Sequence, residues 1–481
     1  MTYLGSKNIK HRLSDASCQT SNVQQGFSLV EVILASAVFV SLVTALVGAY
    51  IYGQESTALA GNRGRAVMLT EEGLEAVRNI RDPSFSCLID GTHGLAVSGG
   101  VWVFSGSQDT NGIFTRQVII SSVDTKRKLV TANVTWQQNP QRSGIVSFVS
   151  RLTNWIASGV SNWASPIQVA SIDAPGINDG IKIQVQCNYA YMILAGGSPN
   201  FLVIDVSNPA SPSIAGSLTL TGTPTNIAVS GNYVYVSNTD NNQELQIIDV
   251  FTPSSPSVVG AFNASGGADA RGVYAIGTTV YLVRASSAND EFLIVNATVP
   301  SLPVLVGSLN LGAQGNEVAV SGNYAYVASS GNSQELQVID ITVPVLPTLA
   351  GSLNLSGNAN AITIAPVGSA VFIGQGNTLY SINVTDPLLP SILGSLGVSG
   401  TLNDIALNLG NANTYLFIAT SHATNEFKVI DVTTLTSLVL LGSVNVPGTN
   451  PLFGIAYDST FDRAFAVGQL NTGELVVLAP Q

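Results

Sequence analysis

Acidic residues and their amides recur at one position of a repeated segment in the C-terminal two thirds of the chain. The segment reads FLVIDV, LQIIDV, FLIVNA, LQVIDI, LYSINV and FKVIDV, and a seventh copy, LVVLAP, has neither Asp nor Asn and is counted from Leu478. The recurrent residues, called the anchors, are Asp205, Asp249, Asn296, Asp340, Asn383 and Asp431. A ring of acids is one interpretation, but each anchor precedes a turn, where Asp and Asn bond the backbone. We expect the anchors to be structural.

A second set of acids lies just before the anchor strands and comprises Glu244, Glu291, Glu335, Glu426 and Glu474. Hairpin chemistry is the expected role of these residues as well. The runs at 240–242 and 289–291 offer clustered oxygen ligands of the kind that Ca²⁺ takes, although neither matches an EF-hand loop. Calcium is therefore an open alternative, and no other cofactor or metal is predicted.

Hydrolase and metalloenzyme chemistry find little support in the sequence. There are three histidines, His11, His93 and His422, and no His pair at metal spacing, CxxC motif, P-loop or GxSxG elbow. Charge is unevenly distributed along the chain. Residues 1–164 have 13 Lys and Arg against 10 Asp and Glu, a net charge of +3, and the remaining residues have 5 against 19, a net charge of −14. The acidic part repels phosphate backbones, so nucleic acid is not an expected partner.

The cysteines are Cys18, Cys87 and Cys187. We expect Cys87 and Cys187 to be separate core thiols, because Cys187 lies in what reads as a buried strand. A disulfide between them in an oxidising compartment is the alternative.

Residues 32–54 contain no charged side chain and read VILASAVFVSLVTALVGAYIYGQ. At a rise of about 1.5 Å per residue, such a helix crosses a hydrocarbon core of about 30 Å. The preceding Lys7, Lys10 and Arg12 predict that the N-terminus stays in the cytoplasm and the C-terminus is exported. Glu31 lies at the start of this run, where an ionised carboxylate needs a partner.

The run Gly26-Phe27-Ser28-Leu29-Val30-Glu31 resembles the class III leader of type IV pilins and type II secretion pseudopilins. The resemblance implies that residues 1–26 are a leader, that a prepilin peptidase cleaves between Gly26 and Phe27, and that Phe27 is methylated. It also implies that Glu31 pairs with the N-terminus of a neighbouring subunit during assembly. A solitary Glu in an ordinary signal anchor is the alternative.

Residues 27–160 are predicted to form a pilin-like α+β domain. AVMLTEEGLEAVRNIRD continues the helix amphipathically to Asp82-Pro83, and the later segments VWVF, RQVIIS, KLVTANVTW and IVSFVSRLTNW alternate like strands. We expect a small sheet that packs on the long helix.

Residues 165–481 repeat with anchor spacings of 44, 47, 44, 43, 48 and 47, and each copy predicts four short strands. This period is typical of a β-propeller, and the copies resemble LVIVD-type repeats. We predict seven blades, with residues 165–172 closing the ring beside 474–479. The loops that differ most between copies are 284–291, 421–426 and 448–453, and we expect ligand specificity there.

These features favour a minor type IV pilin-like subunit that displays a non-enzymatic propeller to a surface, glycan or protein. We expect it in the inner membrane as a precursor and then in a cell-surface fibre with other pilin subunits. A pseudopilin that engages secreted cargo is the alternative, and a surface-displayed enzyme is a weaker one.

Overall fold

The computed structural model describes residues 28–481 apart from 83–84, 99, 125–126, 141, 155–160, 177, 332, 366–367, 409–413, 447–450 and 470–472. The chain divides into two compact units, residues 1–64 and 65–481. The expected cleavage and methylation site at Gly26 and Phe27 lies outside the described residues.

The described part of the first unit belongs to helix α1 (Leu29–Arg81), which continues into the second unit. Its large apolar side chains, such as Leu34 and Phe39, are about two thirds exposed. A helix this long and apolar satisfies the length and composition expected of a membrane span, and a signal sequence passes the same test.

In the second unit, residues 65–81 of α1 pack on an antiparallel sheet. After a 3₁₀ turn (Phe85–Cys87), the strands of this module are β1 (Gly91–His93), β2 (Leu95–Ser98), β3 (Val101–Phe104), β4 (Asp109–Asn111), β5 (Phe114–Asp124), β6 (Arg127–Asn139) and β7 (Arg142–Thr153). The sheet order is β1-β5-β6-β7, with β4 beside β5 and β2-β3 as a separate hairpin. Alternate residues of β6 are buried, and Val77 and Ile80 of the helix join Val130 and Ala132 in the core.

Beyond residue 165 the described residues form seven four-stranded antiparallel sheets, called sheets 1 to 7. Strand β8 (Ile167–Ile172) comes first in sequence but belongs to sheet 7. Sheet 1 consists of β9 (Gly180–Gln186), β10 (Tyr189–Leu194), β11 (Phe201–Asp205) and β12 (Ser213–Leu218). Sheet 2 consists of β13 (Pro224–Ser230), β14 (Tyr233–Asn238), β15 (Leu245–Asp249) and β16 (Ser257–Phe262). Sheet 3 consists of β17 (Ala270–Ile276), β18 (Thr279–Arg284), β19 (Phe292–Asn296) and β20 (Val304–Leu309).

Sheets 4 and 5 consist of β21 (Gly315–Ser321), β22 (Tyr324–Ser329), β23 (Leu336–Asp340), β24 (Thr348–Leu353); β25 (Ala359–Ile364), β26 (Ala370–Gln375), β27 (Thr378–Asn383), β28 (Ser391–Gly397). Sheets 6 and 7 consist of β29 (Leu402–Leu407), β30 (Tyr415–Thr420), β31 (Phe427–Asp431), β32 (Val439–Val444); β33 (Leu452–Asp458), β34 (Arg463–Gly468), β35 (Leu475–Ala479) and β8.

The sheets form a closed ring around a channel. The first strands of consecutive sheets pack side by side, and β33 of sheet 7 packs against β9 of sheet 1. Sheet 7 receives its outer strand from the start of the repeat region, because β8 pairs with β35 from Ile172 opposite Leu475 to Ile167 opposite Ala479. This pairing leaves sheet 7 with the same four strands as the others.

The antiparallel order gives the ring two faces. The side on which the first strands begin, called the loop face, carries the connections between second and third strands and those between sheets. The opposite side, called the turn face, carries the tight turns that join first and second strands and the turns that follow the anchors.

Outer strands interlock with the next sheet through a glycine. At six of these positions an added Cβ would lie 1.8–2.8 Å from a carbonyl oxygen of the following turn, so these sites accept no side chain without movement. The glycines are Gly216, Gly260, Gly307, Gly351, Gly394 and Gly442. Gly442 meets Trp163 and Ala164, which precede β8 and replace the turn that the other sheets provide. In β8 the equivalent residue is Ala170, opposite Val477.

The expectation of two separate core thiols was wrong. Cys87 and Cys187 form a disulfide with Cα atoms 4.7 Å apart, and it links the small sheet module to the ring. Cys187 lies in the turn between β9 and β10 with φ of 57°, not inside a buried strand, so its side chain can reach the module. Asn232, in the equivalent turn of sheet 2, donates to the carbonyl of Phe104 at 3.3 Å. The module therefore contacts the turn face.

Candidate functional site

Glu31 caps the start of helix α1. The backbone N–H of Ser28 donates to Glu31 Oε2 at 2.9 Å, and the N–H of Glu31 donates to Ser28 Oγ at 3.2 Å. This reciprocal pair is a capping box, and it places the carboxylate at the positive end of the helix dipole. Within one chain, Glu31 thus has a local role that was not predicted from the sequence. Its pairing with a neighbouring subunit stays a prediction.

The six anchors accept backbone hydrogen bonds. Each anchor oxygen accepts from the N–H two residues further on, at 2.8–2.9 Å, and so forms the turn that leads into the outer strand. The anchors lie on the turn face, in six different sheets. They do not form one site.

The second set of acids performs a related task inside the ring. Each buried glutamate accepts a bond from a backbone N–H beyond the outer strand, 20 residues later for Glu244, Glu291, Glu335 and Glu426. Glu474 accepts from the N–H of Ala174 instead, at 2.7 Å, because β8 provides its outer strand. Each bond fastens the end of an outer strand to its own sheet, which is a longer-range contact than the hairpin role that we expected.

The two runs proposed as calcium ligands use their carboxylates within the protein. Asp240 Oδ1 accepts from the N–H of Asn242, Asp290 Oδ2 accepts from the Ser308 hydroxyl, and Glu291 bonds the N–H of Leu311. Among the residues that the structure describes, no three His, Cys, Asp or Glu side chains form a metal-binding group.

An ion cluster crosses the channel near the loop face. Lys182 Nζ lies 3.1 Å from Glu317 Oε1 and 2.7 Å from Asp404 Oδ1, and these residues belong to the first strands of sheets 1, 4 and 6. The second oxygens accept from the N–H groups of Ile362 and Ile455 in the next sheets, both at 2.9 Å. All three charged groups are therefore paired.

Burial and charge act against each other in this cluster. Burial raises the pKa of Asp404 to about 6, even though the Lys182 ammonium lowers it. Burial alone would lower the pKa of Lys182, but the two carboxylates outweigh that effect and raise it. The cluster carries one positive and two negative charges when every group is ionised.

This cluster was not predicted from the sequence. Its members occupy equivalent positions of the first strands, where the seven sheets have Lys182, Asn226, Gly272, Glu317, Ala361, Asp404 and Gly454. Three charged residues at a position that is otherwise small or neutral are the signal in the sequence. Lys182 and Glu317 are 135 residues apart, so only the ring closure brings them together.

The cluster separates two cavities. A cavity of about 340 Å³ at the channel mouth and one of about 550 Å³ deeper in the channel are both lined by Lys182, Asn226 and Glu317. The upper cavity is therefore a funnel whose floor is the ion cluster. The three irregular loops that we expected to carry specificity, 284–291, 421–426 and 448–453, belong to connections on the same loop face, although 448–450 lie outside the described residues.

Comparison with known proteins supports the repeat assignment. The family model of the LVIVD repeat matches residues 179–219, 221–264, 313–355 and 404–446, so the chain contains LVIVD repeats as predicted. No curated protein matches the chain.

Solved structures show the propeller fold. A chain of the mitotic checkpoint complex is similar with a TM-score of 0.53 and 12% identity, over 66% of this chain and 93% of that one. The Cps50 (Swd1) β-propeller domain of Myceliophteria thermophila is similar with a TM-score of 0.50 and 12% identity, over 65% of this chain and 99% of that one. Hydrazine synthase of Kuenenia stuttgartiensis is similar with a TM-score of 0.50 and 12% identity, over 66% of this chain and 99% of that one. At this identity the likeness concerns the fold alone. The region after residue 165 has the β-propeller fold, and the LVIVD model matches four of its repeats.

Proposed function

We propose that this protein is a minor type IV pilin-like subunit that carries a seven-bladed propeller as a binding module for surface attachment. Its precursor is held in the inner membrane by α1, and its mature form starts at Phe27 and enters a fibre at low stoichiometry. The propeller binds without turning anything over.

The observation that carries this proposal is the continuity of α1. One helix of 53 residues is apolar and exposed in its first half and packs through Ala76, Val77 and Ile80 on a small antiparallel sheet in its second half. A helix used in this way needs apolar partners outside the chain, first lipid and then other subunits. The disulfide between Cys87 and Cys187 agrees with an extracytoplasmic location, where thiols are oxidised.

The position of the module supports display of the other face. The module contacts the turn face through Cys187 and Asn232, whereas the funnel and the irregular loops lie on the loop face. A ligand can therefore reach the loop face while the module is engaged. A pseudopilin that engages secreted cargo would use the same arrangement, and it is the second candidate.

The experiment compares Glu31→Val and Glu31→Gln with wild type in cells that have a prepilin peptidase and a pilus assembly system. We expect the Val and Gln variants to insert in the membrane, to be cleaved after Gly26, and to be lost from purified fibres. Gln can still accept the Ser28 N–H of the capping box, so Glu31→Gln removes the charge alone, and Glu31→Asp, which keeps the charge, is the control. Normal incorporation of Glu31→Val, or intact residues 1–26 in fibres, would contradict the proposal.

A further inference from the structure

The propeller contains five cationic side chains, and four of them are occupied within the chain. Residues 165–481 have Lys182, Arg271, Arg284, Lys428 and Arg463. Lys182 belongs to the channel cluster, and Arg284, Lys428 and Arg463 donate to carbonyl oxygens of nearby loops. In the described part of the chain, the exposed side chain of Arg271 forms no hydrogen bond or ion pair, and it lines the funnel.

A second polar side chain of the funnel is also uncommitted. At the position of Arg271 in other first strands, Thr225, Asn316 and Asn403 each donate to the first carbonyl of the next first strand, at 2.6–2.8 Å. The acceptors are Ala270, Ala359 and Leu452. Asn360 occupies the same position in sheet 5, lines the funnel, and has no such bond within the described residues.

The charges around the funnel select for a neutral ligand. Arg271 and Lys182 balance Glu317 and Asp404, so the net charge at the funnel is zero when all four are ionised. The propeller as a whole carries −14 and repels anions. Glu317 and Asp404 are already paired with the Lys182 ammonium, so a cationic ligand would gain little from these carboxylates.

The free groups match hydroxyl chemistry. A guanidinium offers several donors in a plane, and an amide offers donors and an acceptor, which together suit adjacent hydroxyl groups that both donate and accept. Ile181 and Pro224 add apolar wall on which C–H groups can pack. The volume of about 340 Å³ is at the small end for ligand sites, and the ion cluster limits its depth.

We propose that the funnel binds a neutral saccharide residue, with Arg271 donating to its hydroxyls and Asn360 both donating and accepting. This rests on the proposed function of the propeller as a binding module and names the class of its ligand. Binding needs no calcium and no fibre.

The test uses the full chain in detergent with methyl glycosides of glucose, galactose, mannose and N-acetylglucosamine, measured by saturation-transfer NMR and calorimetric titration. At least one glycoside should bind, and Arg271→Ala and Asn360→Ala should each weaken that binding about tenfold, as for loss of a hydrogen-bonding group. Ser254→Ala, an exposed change on the turn face, is the control and should leave the affinity unchanged.

Three results would overturn the proposal: no binding of any neutral glycoside, equal affinity in wild type and both variants, or tighter binding of methyl glucuronide than of methyl glucoside. The outcome is separable from that of the display function. If the funnel binds a saccharide but the protein does not enter fibres, only the pilin role is contradicted. If the protein enters fibres but the funnel binds no saccharide, only the funnel site is contradicted.

Discussion

The N-terminal part of helix α1 and the propeller differ in where their side chains find contacts. Along residues 29–54 the apolar side chains of α1 are exposed, and the proposed function assigns their partners to the membrane and to other subunits. In the propeller, the buried glutamates, the anchors and Lys182 of the channel are bonded within the chain. The first region leaves its apolar side chains exposed, whereas the second is stabilised by contacts that recur from sheet to sheet.

The small sheet module lies between these extremes. It has a core of its own around Val77, Val118 and Val130, yet it is tied to the propeller through one disulfide and the bond from Asn232. We expect the largest loss of stability from a change in the channel of the propeller. Loss of the disulfide should have an intermediate effect, on the module, and a change at a single interlocking glycine should have the smallest.

The largest effect is expected for Lys182→Met. It leaves Glu317 and Asp404 buried together without their cation, which costs about 3–5 kcal/mol for breaking a buried pair. Because the pKa of Asp404 is already raised to about 6, protonation relieves the repulsion in acid, so the loss should be greater at pH 8 than at pH 5. Chemical denaturation of the full chain in detergent, with hydrogen exchange to localise the change, measures it.

Lys428→Met is the matched control for that change. Lys428 is also buried, but it donates to the hydroxyl of Thr420 and the carbonyl of Asn425. The one carboxylate that acts on it, Glu426, keeps its bond from the N–H of Val446 when Lys428 is removed. Burial lowers the pKa of Lys428 to about 8, so its charge is already less favoured than that of Lys182. The expected loss is about 1–3 kcal/mol. Equal losses in the two variants would show that the channel cluster has no special importance.

An intermediate effect is expected for Cys187→Ser. A disulfide that closes a loop of 100 residues contributes about 2–4 kcal/mol. In the variant, backbone amide hydrogen exchange should accelerate in the module, near Leu95 and Phe104, and stay unchanged in sheets 4 to 6. Hydrogen-exchange mass spectrometry measures this. Wild type in reductant should behave like the variant, and unchanged exchange in both would mean that the module holds its place without the bond.

The smallest effect is expected for Gly351→Ala. An added Cβ would lie 2.4 Å from the carbonyl oxygen of Pro387, so sheets 4 and 5 must separate slightly, at a cost of about 1–3 kcal/mol. Gly397→Ala is the control, because nothing lies within 4 Å of a Cβ there. Thermal unfolding of the two variants should differ by several degrees. A Gly351→Ala variant as stable as Gly397→Ala would show that the interlock tolerates a methyl group.

The repeat pattern made most of the fold predictable. The four-strand copies and the LVIVD resemblance are confirmed, and so is an apolar N-terminal helix. The strand at 165–172 was expected beside 474–479, and in the structure Ile167–Ile172 lies beside Leu475–Ala479. These inferences depended on local period and on residue classes, which a single sequence carries.

By itself, the sequence determined the elements and their order, because turn residues, apolar alternation and repeat length are local properties. Only the tertiary structure decided which distant residues meet. Closing the ring placed Lys182 between Glu317 and Asp404, and left Arg271 and Asn360 at the mouth of the funnel with no bond to another described residue. It also moved Cys187 from an expected strand to a turn that reaches Cys87. Such contacts depend on how sheets are arranged around a channel, and no spacing along the chain encodes that arrangement directly.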